Sequence, residues 1–303
     1  MRYINPVYKR ELKQTARMKK TLVLLLAYNF LLACFGLLVF YLTFDQEGRL
    51  NSSVEYSAIL TLYMVMTGFE FVMVLLIVPA STAGSVIGER EKQTLDILLS
   101  TSISPLQVVV GKLAASISIV ILLAVSSLPV LAIVYSIGGV TLFDMVEFLL
   151  LITVTAIYIG SFGILFSVCC RRATIATICS YSAMIGLVFV LPAALFAVRF
   201  ADLFRQFSSY SPAAFGKCFA GKQAILLLFN PFTSFVSMIR SQAGRGISMM
   251  NAIGSSGDLL YFLSQHWYAA SLLCQLVTAA AVIGISAHRL NPMSKRIGRR
   301  RQL

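Results

Sequence analysis

The chain has 303 residues, of which 58% are hydrophobic and only 12% are charged. A water-soluble fold would have too little polar surface to cover itself, so this composition excludes a soluble globular protein and indicates an integral membrane protein. The formal net charge is +13. Most basic residues lie beside apolar runs, where anionic lipid headgroups attract them, so membrane lipids are expected as partners and nucleic acid is not.

The first element is a basic arm over residues 1–20. Val7, Leu12 and Met18 are apolar among Lys and Arg neighbours, a pattern that predicts an amphipathic helix on the membrane surface. Two interpretations of this arm stay open. It is either a positive anchor that fixes the topology or a contact for a cytosolic partner.

Six apolar runs follow, each close to or above the roughly 20 residues that a helix needs to cross a bilayer core. The predicted spans are Thr21–Thr43, Ala58–Ala83, Leu106–Ile137, Leu142–Ser167, Thr174–Val198 and Tyr268–Ala287. The arm, the loop with Arg171 and Arg172, and the tail over residues 288–303 are all basic, and basic loops stay in the cytoplasm. We therefore predict an all-α, multi-pass protein of the plasma or inner membrane, with one domain over residues 1–303 and both termini cytoplasmic.

The second span contains an acidic residue, Glu70, near its middle. An ionised carboxylate there costs about 2.5–3.5 kcal/mol on insertion scales, so it must face protein or water. Glu70 is therefore a possible intramembrane functional residue, lining a transport route or bearing a proton. The alternative is a neutral carboxylic acid that is hydrogen-bonded to a neighbouring helix, through Ser or Tyr.

A short charged helix is predicted between spans 2 and 3, within residues 86–103. Its charged residues crowd the first two turns, whereas three leucines recur at i, i+3 and i+4 on one face. The charged set is Glu89, Arg90, Glu91, Lys92 and Asp96, and the apolar stripe is Leu95, Leu98 and Leu99. We expect the stripe to lie against the bundle and the charges to face water.

The third span begins with a capping signal. Ser104 suits the N-cap, Pro105 suits the first helical position, and Gln107 completes a capping box. This is the best local boundary in the chain.

Residues 199–267 form the one long segment that is not predicted to span, and the topology places it outside. Its apolar part, residues 226–239, is interrupted by Asn230 and Pro231. The interruption favours an interfacial or re-entrant hairpin over a full span.

Motifs for catalysis or nucleotide binding are not convincing. Residues 216–222 fit G-x-x-x-x-G-K, but Gln223 replaces the Ser or Thr that would hold magnesium, and no buried strand precedes the match. His266 and His288 fall on opposite sides of the membrane in this topology, so they cannot share a metal or a base. We expect no enzyme activity and no cofactor in this chain.

The run from Gly88 to Ser104, followed by Gly111, Lys112 and Leu113, resembles the pattern E-R-E-x-G-T-L-E-x-L-L-x-T-P-I-S of ABC-2-type ABC transporter permeases. The basic arm is similar to that family's usual start. Two positions depart from the pattern. Gln93 stands where glycine is frequent, which is expected to favour helix continuity, and Ser102 stands where proline is frequent.

The resemblance implies a permease subunit that works with a second copy or a paralogue. A separate cytosolic ABC ATPase would bind ATP and Mg and grip each copy. The loop helix would be the coupling helix, the arm an interfacial connecting helix, and the segment between spans 5 and 6 would contain short extracellular helices. The implied ATPase-coupling residues are Glu89, Arg90, Glu91, Lys92, Thr94, Leu95, Asp96, Leu98 and Leu99.

The function implied is export of a lipid-like, peptide or drug-like substrate. Two alternatives stay open, a secondary transporter or channel subunit and a non-transporting membrane assembly subunit. The sequence does not favour the first of these, because a secondary transporter usually carries several intramembrane charges or two matched halves, whereas this chain has Glu70 and no evident symmetry.

Overall fold

The computed structural model describes residues 6–48, 56–91, 93, 104–137, 141–194, 197, 222–242 and 266–290. These residues are almost entirely helical, with no strand among them. Six of their helices are long and apolar enough to cross a bilayer. The predicted all-α fold with six transmembrane helices is confirmed. The chain divides into two compact units, Met1–Tyr181 with Ala279–Leu303, and Ser182–Thr278.

The first unit is a bundle in which three long helices pack on one another. Its helices are α1 (Pro6–Arg17), α2 (Lys19–Gly48), α3 (Tyr56–Ala83), α4 (Ile87–Glu91), α5 (Pro105–Ile137), α6 (Leu142–Cys169) and the start of α7 (Ala173–Ile185). Helices α3, α5 and α6 form the core, α2 packs on α3 and α5, and α1 packs on α5. Of the six candidate spans, α6 is the most buried and α2 the least.

Capping boxes begin two of these spans. The Ser104 N–H donates to Gln107 Oε1 at 3.0 Å, and the Gln107 N–H donates to Ser104 Oγ at 3.3 Å, as the sequence predicts. Thr141 and Asp144 form a second box at the start of α6. Each box satisfies backbone N–H groups that a helix start leaves without intrahelical partners.

Small residues allow close contact between α3 and α6. A Cβ atom added at Gly163 would overlap the Thr82 side chain, and one added at Gly160 would lie 3.0 Å from Leu113 Cδ1. Thr82 itself is fully buried, and its hydroxyl donates to the Val78 carbonyl at 2.8 Å. The absence of a side chain at Gly160 and at Gly163 of α6 therefore sets how closely α3 can approach this helix.

The second unit contains a π-helical turn (Gly186–Val190), a 3₁₀ helix (Lys222–Phe229), α8 (Pro231–Gln242) and the first half of α9 (Trp267–Leu290). The chain breaks at Asn230, as predicted. Pro192 has no N–H to offer the Val188 carbonyl, and Asn230 Nδ2 donates to that carbonyl at 3.2 Å. Whether this break lies at a membrane interface stays a prediction.

Candidate functional site

The α4 segment, residues 84–91, turns away from the end of α3 and is fixed first by α6. The backbone N–H groups of Val86 and Ile87 both donate to Ser167 Oγ, at 3.0 and 3.2 Å. Ile87 is fully buried and packs with Ala83 and Ala176. A serine from a distant helix therefore satisfies donors at the start of α4.

Lys112 of α5 joins three elements of the first unit. Its Nζ lies 3.1 Å from a Glu89 carboxylate oxygen and 3.3 Å from Glu11 Oε1, and it donates to the Ser85 carbonyl at 2.8 Å. The Lys112 side chain is only 3% exposed and the Glu89 side chain 11%. One buried cation thus holds α1, the α4 segment and α5 together.

Arg90 attaches the same segment to the end of α6. Its Nη1 donates to the Cys170 carbonyl at 2.9 Å, and its Nη2 donates to the Val168 carbonyl at 3.2 Å. The last carbonyls of a helix lack intrahelical donors and carry partial negative charge, so a guanidinium is well suited to this position. Glu89 and Arg90, predicted as ATPase contacts, therefore have partners within this chain.

Helix α1 lies against α5 beside this cluster. Val7 is buried, and the Tyr8 hydroxyl is 3.1 Å from Ser118 Oγ. Because α1 also supplies Glu11 to Lys112, which in turn binds Glu89, the arm packs on α5 and is linked to the α4 segment by charge. Its two proposed roles, anchor and partner contact, are both compatible with this placement.

Glu91 is the exposed member of the predicted coupling residues among those the structure describes. It ends α4 one residue after Arg90 and two after Glu89, which are held from inside. The predicted residues Lys92, Thr94, Leu95, Asp96, Leu98 and Leu99 lie outside the described residues. Their arrangement as a stripe and a charged face stays a prediction.

The expectation that Gln93 favours helix continuity is wrong. Helix α4 ends at Glu91, and Gln93 has a φ of 57°, in the left-handed region. This backbone conformation is easy for glycine and costs other L-residues roughly 1–2 kcal/mol. Glycine is frequent at this position of the permease pattern, and the observed φ gives a physical reason for that preference.

Gln93→Gly is therefore expected to stabilise the protein by about 1 kcal/mol, since it removes the penalty of a Cβ at positive φ. Gln93→Val should destabilise it, because β-branched side chains tolerate this region least. The measurement is the thermal midpoint of the purified protein in detergent. A lower midpoint for Gln93→Gly than for the wild type would contradict the backbone explanation.

Lys112 is the residue that sequence reasoning missed as part of the site. It was noticed only as a member of the Gly111, Lys112, Leu113 match. The available signal was a lysine at the eighth residue of a membrane-spanning helix, a position that needs a carboxylate or water nearby. Nothing in the local sequence indicates that Glu11 and Glu89 supply the carboxylates.

The C-terminal part of α9 reaches the same end of the first unit. Arg289 Nη1 lies 3.6 Å from Cys169 Sγ, at the end of α6 where Arg90 also binds. Helix α1, the α4 segment and the end of α9 therefore lie at one end of this unit.

A comparison with curated proteins finds no match to this chain. A family model described as ABC-2 family transporter protein matches residues 5–291. The match covers the arm, the α4 segment and all six candidate spans, as the resemblance in residues 88–113 predicted. This chain belongs to the ABC-2 family of transporter membrane proteins.

Proposed function

We propose that this chain is the permease subunit of an ATP-driven exporter, and that a separate cytosolic ABC ATPase contacts it at the α4 segment. One observation carries the proposal. Glu91 is exposed at the end of α4, whereas its neighbours Glu89 and Arg90 are bound within the chain. Family membership supports the general class, because ABC-2 proteins are the membrane components and typically work with an ABC ATPase.

The contacts around α4 suggest how motion would pass into the membrane. A displacement of Glu91 is transmitted within one helical turn to Glu89 and Arg90. Glu89 acts through Lys112 on α1 and α5, and Arg90 acts on the end of α6. In this proposal Glu89 and Arg90 hold the segment to the bundle, while Glu91 and the residues after it contact the ATPase.

A pair of permease copies, or of paralogues, is part of the proposal. Helix α2 is the least buried candidate span, and Phe30, Leu37 and Tyr41 are among its exposed large apolar residues. In a membrane this face contacts lipid or a second subunit. The transport pathway would then lie between copies, and ATP and Mg would bind to the ATPase.

The cargo proposed is lipid-like, peptide or drug-like, and the direction proposed is outward across the plasma or inner membrane. The apolar side chains that the spans expose are compatible with such cargo. The cytoplasmic position of both termini is supported by the basic arm and by Arg171, Arg172 and Arg289 at the α4 end of the first unit.

Glu91→Arg is expected to weaken ATPase binding about tenfold, equal to about 1.4 kcal/mol, while the permease itself stays folded. The reason is that an exposed charge is reversed without removing any contact to the residues that the structure describes. The measurement is ATP-dependent transport and ATPase stimulation in vesicles that contain both subunits.

The matched control for this variant is Arg240→Glu, which also reverses an exposed charge on a helix and should leave both activities unchanged. Normal stimulation by Glu91→Arg would remove Glu91 from the interface. Transport that continues without ATP and follows an ion gradient would instead favour a secondary transporter.

A further inference from the structure

Glu70 lies at a fully buried position on α3, and its exposed fraction is 0%. It belongs to the candidate span Leu62–Glu91. No described basic residue forms an ion pair with it. Lys112, the buried cation of α5, is bound to Glu89 and Glu11. It lies about 22 Å along the helix axis from Ser127, the α5 residue that contacts Glu70. Among the described residues, Glu70 therefore has no cation that would stabilise a negative charge.

Ser127 of α5 is the hydrogen-bonding partner of Glu70. Its Oγ lies 2.6 Å from Glu70 Oε1 and 2.8 Å from the Ala124 carbonyl oxygen. A hydroxyl has one proton to donate and two lone pairs to accept with. Both short distances are satisfied at once when Ser127 donates to the carbonyl and accepts from a protonated carboxyl group.

The second carboxyl oxygen supports the same protonation state. Glu70 Oε2 is buried without a hydrogen-bond partner among the described residues. The Tyr28 hydroxyl of α2 also lies beside this carboxyl. A buried carboxylate is tolerated when its charge is paired and its oxygens are hydrogen-bonded. No described cation pairs with Glu70, and Ser127 contacts only one of its two oxygens. A neutral acid needs less from its surroundings.

The contact between Glu70 and Ser127 lies two residues before the proline of α5. Pro129 has no N–H, so the Val125 carbonyl loses its partner in the helix. Three residues before the proline, Ser126 Oγ accepts a hydrogen bond from Asn29 Nδ2 of α2 at 2.8 Å. Ser126 and Ser127 therefore hold α5 to two neighbouring helices beside its proline.

We propose that Glu70 is an intramembrane protonation site. It keeps its proton at neutral pH, and the neutral acid donates to Ser127 to hold α3 against α5. Glu70 then acts as an uncharged hydrogen-bond donor inside one subunit and not as a charged group lining an open route. This inference does not rest on the proposed coupling to an ATPase.

The test uses the purified full-length chain in detergent at neutral pH. The infrared spectrum of the wild type should contain a protonated-carboxyl carbonyl band that disappears in Glu70→Gln and persists in Glu91→Gln, the matched exposed control. Identical spectra for the wild type and Glu70→Gln would show an ionised Glu70 and overturn the proposal.

Thermal stability gives the second measurement. Glu70→Gln keeps a donor for Ser127 and should stay close to the wild-type midpoint, whereas Glu70→Ala should lower it by about 5 °C. Should Glu70→Ala fail to fold, Ser127→Ala provides the comparison, since it removes the other partner of the same bond. A Glu70→Gln midpoint as low as that of either alanine variant would contradict the neutral-donor account.

Discussion

Replacing Lys112 by methionine is expected to cost about 3 kcal/mol of stability and to uncouple the ATPase from transport. Methionine fills similar space, but it removes the Lys112 ammonium that lies 3.1 Å from the nearly buried Glu89 carboxylate. Removing one member of a buried ion pair typically costs 3–5 kcal/mol, and the small exposed fraction of Glu89 favours the lower end. The change would also release Glu11 and the Ser85 carbonyl.

The effect of Lys112→Met is measured by the thermal midpoint in detergent and by the ratio of transport to ATP hydrolysis in vesicles. Lys13→Met is the matched control, because Lys13 is exposed on α1, and it should change neither quantity. Adding Glu89→Gln to Lys112→Met should recover part of the lost stability, since both members of the Lys112–Glu89 ion pair are then neutral. Equal midpoints for Lys112→Met and Lys13→Met would contradict the proposed role of Lys112.

Gly163→Ala is expected to destabilise the first unit by about 3 kcal/mol, near the upper end of typical overpacking costs. The added Cβ would overlap the Thr82 hydroxyl and lie 2.9 Å from Thr82 Cβ. A rotation of the threonine side chain cannot relieve the second contact, because Cβ is fixed to the backbone. Helices α3 and α6 would have to separate, and α6 carries the acceptors for α4 and Arg90.

The control for Gly163→Ala is Gly284→Ala in α9, where an added Cβ meets nothing within 4 Å. That variant should be stabilised by roughly 0.5–1 kcal/mol, because alanine is the better helix former. Adding Thr82→Ala to Gly163→Ala should rescue part of the loss. The thermal midpoint is expected to fall in Gly163→Ala and to rise in Gly284→Ala. Equal small shifts in the two variants would exclude close packing as the reason for glycine at position 163.

Features encoded within one helix or one turn could be predicted from the sequence. The six apolar runs correspond to six candidate spans because length and hydropathy are properties of each run alone. The box of Ser104 and Gln107 was predictable for the same reason, since its partners are three residues apart. The break at Asn230 follows from the proline after it.

Contacts between distant residues could not be predicted in this way. Lys112 meets Glu11 and Glu89, and Arg90 meets the carbonyls of Val168 and Cys170, but hydrophobic periodicity carries no information on which helices are neighbours. The charges of the α4 segment were therefore assigned to water and to a partner, whereas two of them bind within the chain.

Helix propensity misled the prediction at Gln93. Glutamine is a good helix former, yet the turn after α4 needs a left-handed residue there. Propensity is a weak preference that the surrounding structure overrides. The rule that glycine marks such turns would have worked only if glycine had been present.

We propose above that a cytosolic ATPase contacts the α4 segment at Glu91, and photo-crosslinking from that position tests this contact most directly. A photoreactive amino acid at position 91 of the full-length chain, in native membranes, should capture a polypeptide that contains a G-x-x-x-x-G-K-[ST] motif and binds ATP. The same probe at the exposed Leu142, at the opposite end of α6 from Cys169, should not capture it. Capture of the ATPase from Leu142 but not from position 91 would contradict the account.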